Sequence, residues 1–132
     1  MPVTIDPPKL RRADPDERRD LLVAATLTCL ARDGHAGISV RRIAAEAGVS
    51  VGLLNHHFGS IDALIAETYH KLANELTSAL WAQVELAEGA AARLDAFLSA
   101  SFSPRVMDPD LLGVWVVFWS LIRHSPHVNQ SH

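Results

Sequence analysis

Within Ser50–Phe58 (SVGLLNHHF) one side chain has the chemistry to read a base. The amide of Asn55 presents a donor and an acceptor side by side, the pair that matches an adenine edge bidentately. Val51, Gly52, Leu53 and His56 stand around it with His57 adjacent, and a short helix showing them outward would lay them along a major groove. Gly52 lets that helix come close to the duplex. Ser50 and the amides that follow it lack helical partners and suit a phosphate oxygen. Ser39, Arg41 and Arg42 belong to the preceding helix and complete the set of DNA contacts; the alternative for the two arginines is a solvated pair. A metal at His56–His57 is disfavoured, because adjacent helical residues diverge by roughly 100°. The seven histidines (35, 56, 57, 70, 124, 127, 132) show no ligand spacing, so neither a metal nor a cofactor is expected. A second group is aromatic. Trp115 and Trp119 are four apart on one helix face, Phe118 is adjacent and Trp81 comes from an earlier helix. Such rings attract a quaternary ammonium group, although tryptophans on an apolar helix also serve as core.

Those positions matter only if elements hold them. Asp14 caps a first helix with Pro15 at its first position and Glu17 completing a capping box. Leu21, Leu22, Ala25, Cys29 and Leu30 form its apolar stripe, and Gly34 stops it in a left-handed conformation. After a turn at Gly37, Ser39 caps a second helix with Val40, Ile43, Ala44 and Ala47 at a 3.6-residue period, ended by Gly48. Ser50 opens a third through Phe58, with Leu54 and Phe58 inward. A small residue at the crossing (Ala44), a glycine four later (Gly48) and apolar residues beyond the turn (Val49, Leu54) are what a helix-turn-helix requires. Ser60 caps a long fourth helix whose stripe of Ile61, Leu64, Ile65, Thr68, Leu72, Leu76 and Leu80 runs until Gly89, roughly 40 Å at 1.5 Å per residue. A fifth helix spans Ala90 to Phe102, with Leu94, Phe97, Leu98 and Phe102 on one side. The sixth starts at Asp108–Pro109 and runs to about Arg123; apolar nearly all round, it should be covered on most sides.

No stretch alternates as a strand would. The expected fold is all-α: a loose basic arm (1–13), a three-helix helix-turn-helix DNA-binding domain (14–59), and an incomplete helical effector-binding and dimerisation bundle (60–132). The 132 residues carry a net charge of −3, split as +1 over residues 1–60 and −4 over 61–132, so the basic half is the candidate face for a polyanion. Cys29 is the only cysteine, which excludes an intrachain disulfide and a cysteine-rich zinc site. The longest apolar stretch, Leu111–Ile122, falls short of the roughly 20 residues of a membrane span. With no signal-peptide pattern either, the expectation is a cytoplasmic protein without a membrane partner. Carboxylates are scattered, and no nucleophile–base–acid spacing or glycine-rich phosphate loop occurs, so an enzyme is not expected.

The stretch ISVRRIAAEAGVSVGLLNHHFGSIDALI, between an amphipathic helix and a long one, resembles the TetR family of bacterial transcriptional regulators. The family pattern T/S-x-x-x-I-A-x-x-A-G-V-S, followed by a short helix ending in H/Y-F, is matched from Ser39 to Phe58. VSVGLLNHHF with the later W-V-x-F-W is similar to the BetI subgroup, choline-responsive repressors of glycine betaine synthesis. The resemblance covers roughly residues 15–125. It implies a ligand-responsive repressor that binds a palindromic operator in double-stranded DNA as a homodimer. Its long fourth helix would carry the effector signal, and Trp81, Trp115, Phe118 and Trp119 would receive choline or another quaternary ammonium. Two departures stand out. Family members commonly have a lysine at the start of the fourth helix, where this chain has Ile61. They also continue for two or three helices beyond the point reached at His132, the last two pairing in the dimer. The alternative reading is a helical small-molecule-binding or adaptor protein that does not bind DNA, or an inactive fragment of such a repressor.

Overall fold

The computed structural model describes residues 14–34, 36 and 38–122, and among them it contains six helices and no strand. They are α1 (Pro15–Asp33), α2 (Val40–Ala47), α3 (Val51–Phe58), α4 (Ile61–Leu86), α5 (Ala90–Ser101) and α6 (Pro109–Ile122). The expected basic arm, the Gly37 turn and the end of the last helix at Arg123 lie outside the described residues.

Most helix ends follow from local chemistry. The hydroxyls of Ser39, Ser50 and Ser60 accept from the backbone amides of Arg42, Leu53 and Ala63 at 3.1–3.2 Å, capping α2, α3 and α4. One carboxylate oxygen of Asp108 accepts from the amides of Asp110 and Leu111 and caps α6. At α1, Asp14 accepts from Asp16 instead, at 3.4 Å, and Glu17 does not close a capping box. Gly48 ends α2 in the left-handed conformation (φ 69°, ψ 31°). Its amide donates to the carbonyl of Ala45 and that of Val49 to the carbonyl of Ala44, so two carbonyls of the last turns of α2 are satisfied inside a three-residue turn. Gly34 also has positive φ, but at φ 62° and ψ −156° it is not the left-handed helical conformation expected. Gly89 does not end α4, which stops at Leu86; it stands instead at the start of α5.

Two apolar clusters form the interior. The first joins Leu22, Val23, Ala25 and Cys29 of α1 to Ile43 and Ala44 of α2, Leu54 and Phe58 of α3, and Leu64 at the start of α4. The second joins Leu30 of α1 to Ile65, Ala66, Tyr69 and Leu72 of α4 and to Val114 and Phe118 of α6. Ile38 and Ile61 pack against both. Thr26 and Thr68 are fully buried, yet each hydroxyl donates to the carbonyl four residues earlier at 2.7 Å, which removes the cost of an unpaired polar group.

Three expectations about covered faces are corrected. Leu21, on the expected α1 stripe, is 49% exposed, because the covered arc of α1 centres on Leu22 and Cys29. In α5 the side bearing Leu94, Phe97, Leu98 and Phe102 faces outward, while Ala96, Ser99 and Ala100 line the space beside α4. Helix α6 buries only Val114 and Phe118 fully and leaves Leu112, Val116 and Trp119 exposed. Periodicity shows which residues share a face; it does not show which face finds a neighbour.

Candidate nucleic-acid interface

The outer face of α3 is built from below. Leu54 and Phe58 are buried against α1 and α2, which fixes the rotation of the helix and turns Val51, Gly52, Asn55 and His56 outward. The Asn55 amide makes no hydrogen bond among the described residues, so both its donor and its acceptor are available. A Cβ on Gly52 would meet only the Ser50 hydroxyl, 3.9 Å away, which leaves the backbone of α3 open on that side. Ser39 and Ser50 use their oxygens as acceptors in the caps, and each keeps its O–H proton to donate to a phosphate.

The remaining expected contacts differ among themselves. Arg41 is exposed and makes no ion pair among the described residues. Arg42 is exposed too, but its guanidinium lies 3.5 Å from the Asp33 carboxylate. Leu53 is half-buried and offers the groove only part of its side chain. His57 is turned toward the protein: its Nε2 is buried without a hydrogen-bond partner, and its ring meets that of His56 edge-on at 5.6 Å. At the head of α4, Ile61 packs against both apolar clusters. Near α2, Arg32 bridges Asp33 (3.0 Å) and Glu46 (3.3 Å), and these hydrogen bonds raise the pKa of its guanidinium.

One residue escaped the sequence reading altogether. Arg19, on α1, reaches the far end of α3. Its Nη1 donates to the carbonyl of His57 at 2.9 Å, and its guanidinium carbon sits 4.5 Å from the centre of the Phe58 ring. Nε donates to Glu67 Oε1 at 3.2 Å and Nη2 to Glu67 Oε2, so both oxygens of an α4 carboxylate are held by one fork. One cation therefore ties α1, the last turn of α3 and α4 together. Both carboxylate oxygens of Glu67 are thereby engaged.

Of the four aromatic residues, Trp115, Phe118 and Trp119 lie together. Phe118 is fully buried, edge-on to Tyr69 at 5.2 Å, and Trp115 meets Tyr69 at 5.5 Å. Trp119 is 55% exposed, with its ring 6.4 Å from that of Trp115. Trp81 stands twelve positions beyond Tyr69 on α4, roughly 18 Å along the helix, and is itself half exposed. Tyr69 is the partner that the spacing of tryptophans alone could not reveal. Among the described residues no group of three or more His, Cys, Asp or Glu converges, and no helix is long and apolar enough to cross a membrane.

Three helices, the last two short, joined by a glycine turn, and the last showing an open outer face, define a helix-turn-helix domain. The family signature described as "Bacterial regulatory proteins, tetR family" matches residues 22–68, past Phe58 and into the α4 residues that complete the first cluster. Residues 22–68 thus carry the amino-terminal signature of the TetR family. The chain is 35% identical over 112 residues to the HTH-type transcriptional regulator BetI of Vibrio vulnificus (strain YJ016), covering 83% of this chain and 57% of that protein. It is 30% identical over 118 residues to BetI of Vibrio atlanticus (strain LGP32), covering 88% and 59%. Among solved structures, a protein of Pseudomonas aeruginosa PAO1 assigned as a transcriptional regulator superposes with a TM-score of 0.83 at 45% identity, over 92% of this chain and 59% of that one. The chain thus spans a little under three-fifths of the length of these relatives.

Proposed function

We propose that this chain acts as a helix-turn-helix transcriptional regulator that binds a palindromic operator. Helix α3 enters the major groove, Asn55 reads a base, and Arg41 with Ser39, Ser50 and the first amides of α3 hold phosphates. Arg42 joins them by exchanging Asp33 for a phosphate. The observation that carries this reading is the pairing of a buried inner face on α3 with an outer face on which Asn55 is unengaged.

Two copies acting together fit a palindrome. One head makes few base contacts, and linking a second raises avidity by roughly 10²–10⁴ through effective concentration. The homodimer, the division at residues 59–60 and a cytoplasmic location are parts of this reading, and a catalytic role is not. The resemblance to BetI adds a small-molecule effector, choline or another quaternary ammonium. The aromatic surface offered to it is narrower than the four residues expected, consisting of Trp119 and the edge of Trp115. A cation over such rings gains about 0.5–2 kcal/mol.

The test is enrichment of duplexes from a randomised pool, followed by a salt titration. An inverted repeat and an affinity that falls steeply and linearly on a log–log salt plot support the reading. No enriched sequence and a flat salt response would establish the non-DNA-binding adaptor instead.

A further inference from the structure

Between α4 and α5 lies an open cavity of about 410 Å³, inside the range of roughly 300–1,000 Å³ that small-molecule sites occupy. It exists because α5 turns Ala96 and Ala100 toward α4, leaving room that larger side chains would fill. Leu76, Leu80 and Val106 give it apolar walls. Its polar lining is neutral apart from one group: Gln83, Ser99 and Ser103 can donate hydrogen bonds, and Arg105 carries the single charge. No carboxylate and no aromatic ring is among the described residues that line it. Arg105 makes no ion pair among the described residues, so its five N–H donors are uncommitted.

We infer that this cavity binds an anionic amphiphile, a carboxylate carrying an apolar tail. The tail lies along Leu76, Leu80 and Val106, and the carboxylate is held by the Arg105 fork with Ser103 or Ser99 as a further donor. A quaternary ammonium meets the opposite of what it needs here: no ring face, no counter-charge and a like charge at the mouth. The inference rests on the reading of the chain after residue 60 as a small-molecule domain, and it names a ligand class that the resemblance to BetI does not supply.

Calorimetry on the full chain decides it, using decanoate, decyltrimethylammonium and decanol below their aggregation limits, and choline. Decanoate is expected to bind one to one and at least ten-fold more tightly than the matched cation. Arg105→Gln, in an exposed segment, should weaken decanoate at least ten-fold and leave decanol unchanged. Ala100→Leu, which fills the cavity, should abolish both, with circular dichroism confirming that the helices persist. Equal or tighter binding of the cation, unchanged decanoate binding in the Arg105→Gln variant, or no binding of any ten-carbon probe overturns the proposal. Duplex binding measured on the same preparation separates that failure from failure of the DNA-reading function, and choline binding alone would assign the effector to the aromatic surface.

Discussion

Arg19 and Glu67 are 48 positions apart in sequence, yet the guanidinium of one holds both carboxylate oxygens of the other. The remaining arm of Arg19 grips the carbonyl of His57 at the end of α3, and its plane covers Phe58. The helix expected to read DNA is therefore fastened at its far end to the helix that continues into the second cluster. Any shift of α4 at Glu67 pulls on the same cation that positions α3.

The pair is about two-thirds shielded from water, at 36% and 39% side-chain exposure, so by itself it contributes no more than about 1 kcal/mol to stability. Glu67→Gln should therefore leave the urea midpoint nearly unchanged. Arg19→Lys should cost more, because an ammonium cannot engage two carboxylate oxygens and a carbonyl in one plane. Both variants should lower the ratio of operator to random-duplex affinity, by about 1 kcal/mol, the net worth of one charged hydrogen bond. Fluorescence anisotropy on the two duplexes checks this. An unchanged ratio in both variants would make the contact structural only.

The arginines of α2 should separate. Arg41 has no competing carboxylate, whereas Arg42 must leave Asp33 before it can hold a phosphate. Arg41→Gln should weaken all duplexes alike and reduce the salt slope by about one unit, and Arg42→Gln should do less. Asn55→Ala should act differently from both, relaxing discrimination at one base pair by about 1–3 kcal/mol. Competition binding against single-base operator variants distinguishes the patterns.

Burial pushes the pKa of the Cys29 thiol up, with Arg32 opposing the shift weakly. The folded chain then retains a proton that the unfolded chain releases. Its contribution to stability is complete below the ordinary thiol pKa and is lost as pH rises through the raised value. Cys29→Ala should cost about 1 kcal/mol near neutrality, as loss of one buried heavy atom does. That deficit relative to the native sequence should shrink as pH rises above the thiol range. Urea titrations of both proteins at neutral and alkaline pH supply the comparison, and a deficit constant with pH would contradict it.

What could be read from sequence divides by range. Ser39, Ser50 and Ser60 cap helices through contacts three residues away, and Ala44 and Gly48 announce the tight turn within a short window; such signals are local and were legible. The buried face of α3 was legible too, because Leu54 and Phe58 repeat at helical spacing. The Arg19–Glu67–His57 junction was not, since its partners meet only after α1, α3 and α4 have packed. Nor could spacing reveal that Tyr69 would draw Trp115 and Phe118 inward while Trp81 stayed apart. The outward turn of Leu94 and Phe102 belongs to the same class, because the face of α5 that is covered depends on what α4 offers it.

Gly52 gives the sharpest separation of stability from function. Its backbone is ordinary helix, unlike Gly48 at φ 69°, and a methyl group there would touch only the Ser50 hydroxyl at 3.9 Å. Gly52→Ala should therefore stabilise the fold by about 0.5–1 kcal/mol, the usual gain of alanine over glycine inside a helix. The same methyl projects from the face that must approach the duplex, so operator affinity should fall several-fold as thermal stability rises. Gly48→Ala should behave in the opposite way. It forces a side chain into the left-handed conformation, costing about 1–2 kcal/mol, but adds nothing to the outer face of α3. Melting curves and anisotropy on the two variants form a crossed comparison. If Gly52→Ala were stabilising and bound operator as tightly as the native sequence, this side of α3 would not be the one that meets DNA.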